Sequence, residues 1–302
     1  MPQKKTTSVY RKNLVNVGIG QGILETYPYL YSYTEHDRNG QTLSQSSFTA
    51  DGLLAEKITR AYDDKGKVIR EDYYSGEDEL SESNSYERDA KGLVTKEIKK
   101  YLDGSTDVTS FTYGENDHLV EKVTLDEEGV LFQTEKFTWE DDRLVKHEVF
   151  DEEDNLIELD ENAYDGEGHV TMHRRKDEET GENYKLTSKF NSAGLKITDH
   201  LYDEEGELVE TTRYTYDKDH KLIHSAVESE EKKSTTTYFY DDRGNNLGQE
   251  EVNDQGDQIL WVENSYDASN NIENSVIFAN GRGLSMSQHY ELRYEYEWFG
   301  EA

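Results

Sequence analysis

One phrase recurs along this chain and constrains its fold more than any other feature. The stretch "RYTYDKDHKLI", Arg213 to Ile223, reads as the end of one strand, a tight acidic turn and the start of the next. Nearly the same wording returns at Tyr62-Asp-Asp-Lys-Gly66, Tyr202-Asp-Glu-Glu-Gly206 and Tyr240-Asp-Asp-Arg-Gly244. An aromatic residue, a few polar residues often ending in glycine, and an aliphatic residue form the unit. Asp and Asn tolerate turn conformations, and Gly accepts a positive φ. Between the turns lie alternating stretches rich in Thr, Val, Tyr and Phe, such as Leu131 to Trp139, "LFQTEKFTW". Asn39-Gly40 is a favoured hairpin pair.

The anchors fall in two series. Tyr164, Phe190, Tyr216, Tyr240 and Tyr266 are spaced 26, 26, 24 and 26 residues apart. Phe150, Tyr202, Val252 and Phe278 fall between them, so the reading gives a unit of 12 to 14 residues. Earlier members include Tyr62, Tyr86, Tyr113 and Trp139. Connections this short do not hold parallel crossovers, so neighbouring strands are expected to be antiparallel. The expected fold is all-β: a long antiparallel meander of about 18–22 short strands, twisted or coiled into a ribbon. A flat single-layer sheet and a β-propeller are the alternatives, the propeller disfavoured by the polar strand centres. The ten residues Tyr62, Tyr86, Tyr113, Trp139, Tyr164, Phe190, Tyr202, Tyr216, Tyr240 and Tyr266 are expected to be structural anchors at the strand ends. Residues 1–30 are expected to cap the first repeats, 31–285 to form the repeat region and 286–302 to add a capping strand.

Composition supports a folded chain with a thin core. Only 33% of the 302 residues are hydrophobic, but there are 22 Tyr and 9 Phe at regular spacing and only 2 Pro. A tyrosine ring can be buried while its hydroxyl reaches a polar partner. The formal net charge of -33 repels a phosphate backbone and anionic lipid. Neither nucleic acid nor membrane is therefore expected as a partner, whereas a protein, including a basic one, is permitted. There is no cysteine for disulfides or thiolate metal sites. No apolar run has the length of a spanning helix, and no secretory leader follows Met1-Pro-Gln-Lys-Lys. The expected location is cytoplasmic, or exported without a cleaved signal.

No catalytic pattern stands out. With 66 Asp plus Glu, carboxylate pairs occur everywhere by chance, and no nucleophile motif is present. Turns such as Asp151 to Asn155, Asp203 to Gly206 and Asp241 to Gly244 offer oxygen atoms for weak surface calcium, but none matches the EF-hand loop. Solvated turns and no cofactor are the expectation. His169 and His173 share one strand face and read as exposed surface histidines. Gly18, Gly20 and Gly22, in "GIGQG", lack the dinucleotide fingerprint and the phosphate-loop lysine, and read as a turn or cap. Trp139, Trp261 and Trp298 could stack on sugars, with strand-end packing the preferred reading.

The run Tyr-Xaa-Tyr-Asp-Xaa-Xaa-Xaa-Xaa-Leu at Tyr214 to Leu222, with the phrases at Tyr202, Tyr240 and Tyr266, resembles the tyrosine-aspartate (YD or RHS-like) repeats across most of residues 60–280. The phrase at Asp203 to Leu208 is also similar to MORN-variant antitoxin repeats. The first resemblance implies β-strand ribbons that spiral, often around bacterial toxins. The expected function is a non-catalytic protein-interaction or scaffold module, toxin-associated or immunity-like. A carbohydrate-binding module and an acidic mimic of nucleic acid are the alternatives.

Overall fold

The computed structural model describes residues 3–16, 23–76, 78–281 and 287–300. Gly18, Gly20 and Gly22 lie outside them. The described residues form two compact units: residues 1–85 with 236–302, and residues 86–235.

The first unit contains β1 (Lys4–Asn16), β2 (Ile23–Glu25), β3 (Tyr29–His36), β4 (Thr42–Phe48), β5 (Leu54–Tyr62), β6 (Val68–Ser75) and most of β7 (Glu79–Arg88). It also holds most of β19 (Lys233–Tyr240), then β20 (Asn246–Asn253), β21 (Gln258–Tyr266), β22 (Ile272–Ala279) and β23 (Gln288–Trp298). The second unit contains β8 (Val94–Tyr101), β9 (Thr106–Tyr113), β10 (Leu119–Leu125), β11 (Leu131–Glu140), β12 (Arg143–Phe150) and β13 (Leu156–Tyr164). It continues through β14 (Val170–Asp177), β15 (Asn183–Phe190), β16 (Lys196–Tyr202), β17 (Leu208–Tyr216) and β18 (Leu222–Ser229). From β8 to β18 each strand pairs antiparallel with the next, without interruption.

The expected open ribbon is overturned at β1. This strand pairs with β3 on one flank and with β23 on the other. The first and last long strands therefore meet, and the fold is an all-β closed barrel of 22 strands, with the three-residue β2 attached to the end of β1. The propeller alternative fails as well, because pairing does not break into blades. The physical reason is the edge. An open sheet would leave two strands with unpaired N–H and C=O groups, and closure removes both. The chain is accordingly a closed barrel and not a hairpin-repeat solenoid of the YD or RHS type.

The recurring phrase builds one turn. At Asp217 the main-chain N–H donates to the Lys221 carbonyl at 2.9 Å, and the His220 N–H donates back to the Asp217 carbonyl at 3.2 Å. The Asp217 carboxylate accepts the N–H groups of Asp219 and Lys221 at 2.8 and 2.9 Å. The fourth position has a positive φ: +82° at Gly206, with His220, Asp154 and Asn270 supplying 65°, 63° and 69° in the equivalent place. A positive-φ residue after a type I turn inserts a bulge into the returning strand. A register shift follows further along the returning strand, where Tyr216 pairs with Leu222 but Thr215 with His224. The same arrangement holds Asn39-Gly40. Asp37, not the Asn-Gly pair alone, organises that turn by accepting the N–H groups of Asn39 and Gln41 at 2.8 and 2.9 Å.

The core is thin, and it is polar. Among the described residues Val149 is the one buried apolar side chain, against ten buried polar ones including Asn84, Asp177, Ser188, Asp199 and Thr211. Hydrogen bonds and ion pairs must therefore satisfy most of what the sheet covers.

Candidate functional site

Six of the ten aromatic residues singled out in the sequence share a repeated position and one task. Tyr62, Tyr113, Tyr164, Tyr216 and Tyr266 end their strands and donate their hydroxyls to the carbonyls of Thr42, Val94, Leu144, Lys196 and Asn246, at 2.7 to 2.8 Å. Trp139 does the same with its Nε1–H to Leu119, at 2.8 Å. In each case the acceptor sits two residues outside the ladder that joins the two strands. Lys146, for example, is the first residue of β12 paired with β13, and Leu144 precedes it. The aromatic group thus satisfies a carbonyl that the sheet leaves over. Burial raises the pKa of the Tyr62, Tyr113, Tyr216 and Tyr266 hydroxyls. Phe190 has no hydroxyl and stacks on His169 at 4.5 Å. Tyr202 belongs to the alternate series of turns, with Lys185 Nζ 4.6 Å from its ring centre. Tyr240 ends β19, and Tyr86 lies two residues inside the end of β7.

The densest chemistry lies within the second unit, on the face that carries Tyr164. Alternation puts Glu158, Asp160 and Asn162 on that face with it. The register then sets Lys122 opposite Glu135, His147 opposite Asp160, and Asp160 opposite Arg175. Lys122 reaches Glu135 at 3.1 Å, and His147 Nε2 lies 3.0 Å from the same carboxylate. His147 Nδ1 is 3.8 Å and His173 Nε2 3.4 Å from Asp160. Arg175 contacts Glu158, Asp160, Asp177 and Glu182 at 2.8, 3.1, 2.9 and 3.2 Å. The row runs across five strands, and its side chains from Lys122 to Arg175 are half-buried. Burial disfavours charge on Glu135, but the His147 hydrogen bond and the Lys122 charge outweigh it and hold its carboxyl below the ordinary value. Burial likewise opposes the Arg175 charge, and Glu158 and Asp160 more than offset it, raising its pKa. Further along the same face Asp199 accepts from Ser188 at 2.6 Å and from Tyr214 at 2.8 Å, and pairs with Lys196 at 3.3 Å.

Two groups bring metal-ligating atoms together, His147 with Glu158 and Asp160, and Asp165 with Glu167 and His169. In the first, the Arg175 guanidinium already stands between the two carboxylates. In the second, the Asp165 carboxylate is committed to its turn, accepting from the N–H groups of Glu167 and His169 and facing His169 Nδ1 at 2.9 Å. The acidic turns at Asp151 and Asp241 use their carboxylates similarly. His169 and His173 are half-buried rather than exposed, held by Asp165 and by Asn162 with Asp160. Trp139 is fixed by Leu119 and stacks on His118 at 4.4 Å, so it is part of the strand-end packing. Among the described residues no nucleophile and base are assembled at an open cleft.

No family model matches the chain, and no curated protein matches it. Solved structures show a broad likeness. A Photorhabdus luminescens Tc holotoxin pore matches 93% of this chain at 10% identity with a TM-score of 0.46. A TcdB2-TccC3 structure matches 93% at 12% identity with a TM-score of 0.35. The chain spans only 17% and 19% of those two molecules. A porin-like protein from Bacteroides uniformis is covered to 98%, at 11% identity and a TM-score of 0.33. These likenesses assign no role. The expected membership among tyrosine-aspartate repeats does not hold, since the sheet closes.

The exclusion of membrane as a partner also falls. It rested on net charge and on the lack of an apolar helical run. Among the described residues no helix is long and apolar enough to cross a membrane, which says nothing of a β-barrel. A closed barrel is the other architecture that satisfies every backbone group within a bilayer, and it is the architecture found here.

Proposed function

We propose that the chain is a structural barrel of a toxin-type or pore-type assembly, exported or held at a membrane, where it acts as a rigid scaffold. The observation that carries this reading is the pairing of β1 with both β3 and β23. A closed sheet has no free edge to offer a partner for strand addition. The ionic row adds to the argument: its cations and carboxylates are engaged with one another, which suits stiffness better than turnover. The holotoxin pore and the porin-like proteins are of the general kind intended.

Fractionation of the native host checks the location, with the protein expected in the medium or the envelope. Recovery entirely from the cytosol would remove this reading. Planar-bilayer recordings separate the two forms of the proposal: a silent bilayer is expected of a scaffold, and stepwise conductance would replace scaffold by pore.

A further inference from the structure

The pairing that closes the barrel differs in connection from those along the rest of the sheet. From β3 to β22 successive strands are joined by short connections that fix their register. β1 and β23 are joined by no such turn, and a slip of one residue would exchange the two faces of the strand. Something other than loop geometry must specify how they meet.

The basic residues of β1 provide it. In a chain with 66 acidic and 33 basic residues, β1 holds Lys4, Lys5, Arg11 and Lys12, and β23 holds Tyr290, Tyr294, Tyr296 and Trp298. The Arg11 guanidinium lies 3.9 Å from the ring centre of Tyr290 in β23 and 5.6 Å from that of Tyr31 in β3. One side chain is therefore clamped by a ring from each flanking strand. Lys4 Nζ stands 4.2 Å from the Tyr296 ring centre and 5.6 Å from that of Trp298. Arg293 reciprocates from β23, 5.0 Å from the ring of Tyr10. Lys12 is registered opposite Glu291, and Lys5 reaches Glu297 at 3.5 Å. None of the apolar residues of β1 or β23 that the structure describes is buried. Beyond the backbone ladder of nine paired positions, the contacts that hold this junction are cation–π and ionic.

We propose that β1 is a strap: a single basic strand, clamped by aromatic rings on both flanks, which shuts the barrel and is the place where it opens. Releasing β1 would expose two sheet edges at once, on β3 and on β23. This goes beyond the scaffold reading, because it makes closure a reversible state. It stands or falls independently of where the protein resides.

Native-state hydrogen exchange on the full chain tests it. In the unaltered protein, amides of β1 and β23 are expected to exchange faster than those of β12 and β13 under the same conditions. Removing the clamp by Arg11→Ala should raise exchange in β1, β3 and β23 by roughly tenfold and leave β12 and β13 unchanged. Arg213→Ala, which removes an exposed ion pair with Glu228, should leave β1 and β23 unchanged. Seam amides as protected as those of β12 in the unaltered protein would overturn the proposal. So would an Arg11→Ala effect spread evenly over all strands. Should Arg11→Ala not fold, a disulfide introduced by Val9→Cys with Tyr294→Cys, which face each other in register, gives the opposite test: seam exchange must fall on oxidation, and an unchanged rate overturns the strap.

Discussion

The hydroxyl of Tyr164 donates to the main-chain carbonyl of Leu144 at 2.8 Å, twenty residues earlier and one strand away. The ladder between those strands begins two residues further on, at Lys146. The tyrosine therefore satisfies an acceptor for which the sheet has no donor, and leaves its ring as packing at the strand end.

Removing that hydroxyl should show its worth. Tyr164→Phe keeps the ring and leaves the Leu144 carbonyl only the long Asn162 Nδ2 contact at 3.4 Å, at an expected cost of about 1 kcal/mol. Tyr202→Phe provides the contrast. Its hydroxyl has no partner among the described residues, so the midpoint of urea unfolding should scarcely move. Equal losses in the two variants would show that the carbonyl contact contributes nothing particular.

The first residue of the acidic turn should matter more than those that follow it. Asp217 accepts two main-chain N–H groups, and Asp217→Ala is expected to lower the thermal midpoint measurably. Asp219→Ala changes the same net charge but removes neither of those bonds, and should stay within about 0.5 kcal/mol of the parent. Thermal unfolding of the pair separates turn geometry from charge.

Arg175 is the cation on which the ionic row depends most. Arg175→Met leaves Glu158, Asp160 and Asp177 facing each other without it. Its side chain is 23% exposed, so the loss should lie near the lower end of that for breaking a buried pair, about 3 kcal/mol. Adding Asp160→Asn to Arg175→Met should recover part of it, because one stranded charge is gone. Additive losses in a double-mutant cycle would mean that the two groups do not interact.

The pH dependence has two limbs of opposite origin. Glu135 and the turn aspartates Asp151 and Asp217 are held below their ordinary values of 4.5, 3.8 and 3.8. Their contribution is present above those values and is lost as pH falls through the lower folded ones, so stability should decline below about pH 4. On the alkaline side, burial pushes the Tyr296 hydroxyl from 10.0 up to about 12. This group contributes below pH 10 and loses its contribution as pH rises through about 12. Thermal midpoints across pH should fall on both sides, and Tyr296→Phe should flatten the alkaline limb. A limb of unchanged slope in that variant would assign the loss to other groups.

Much of this was legible in residue order because the determinants are local. Asp217 to His220 spell a turn whose hydrogen bonds span four residues, and the alternation of Leu131 to Trp139 sets two faces. These features gave antiparallel strands joined by tight turns, with aromatic residues at the ends. The two anchor series were harder to tell apart. Tyr164 and Tyr202 close similar phrases, but only the series of Tyr164 meets a carbonyl left outside the ladder. That difference lies in the adjoining strand. Tyr296 plays the same part toward Ile272 at 2.7 Å, across 24 residues instead of 20, and the regular spacing does not reveal it.

By itself, then, the sequence determined the strands, their antiparallel order, the turn chemistry and a core too thin for aliphatic packing, since each depends on neighbours a few residues apart. Tertiary structure alone decided that the sheet closes and that Lys122, Glu135, His147, Asp160 and Arg175 fall into one row. Both depend on register, and closure joins Lys4–Asn16 to Gln288–Trp298 across nearly the whole chain. No local pattern encodes such a pairing. It follows from twist accumulated over many strands, which brings β1 beside β23.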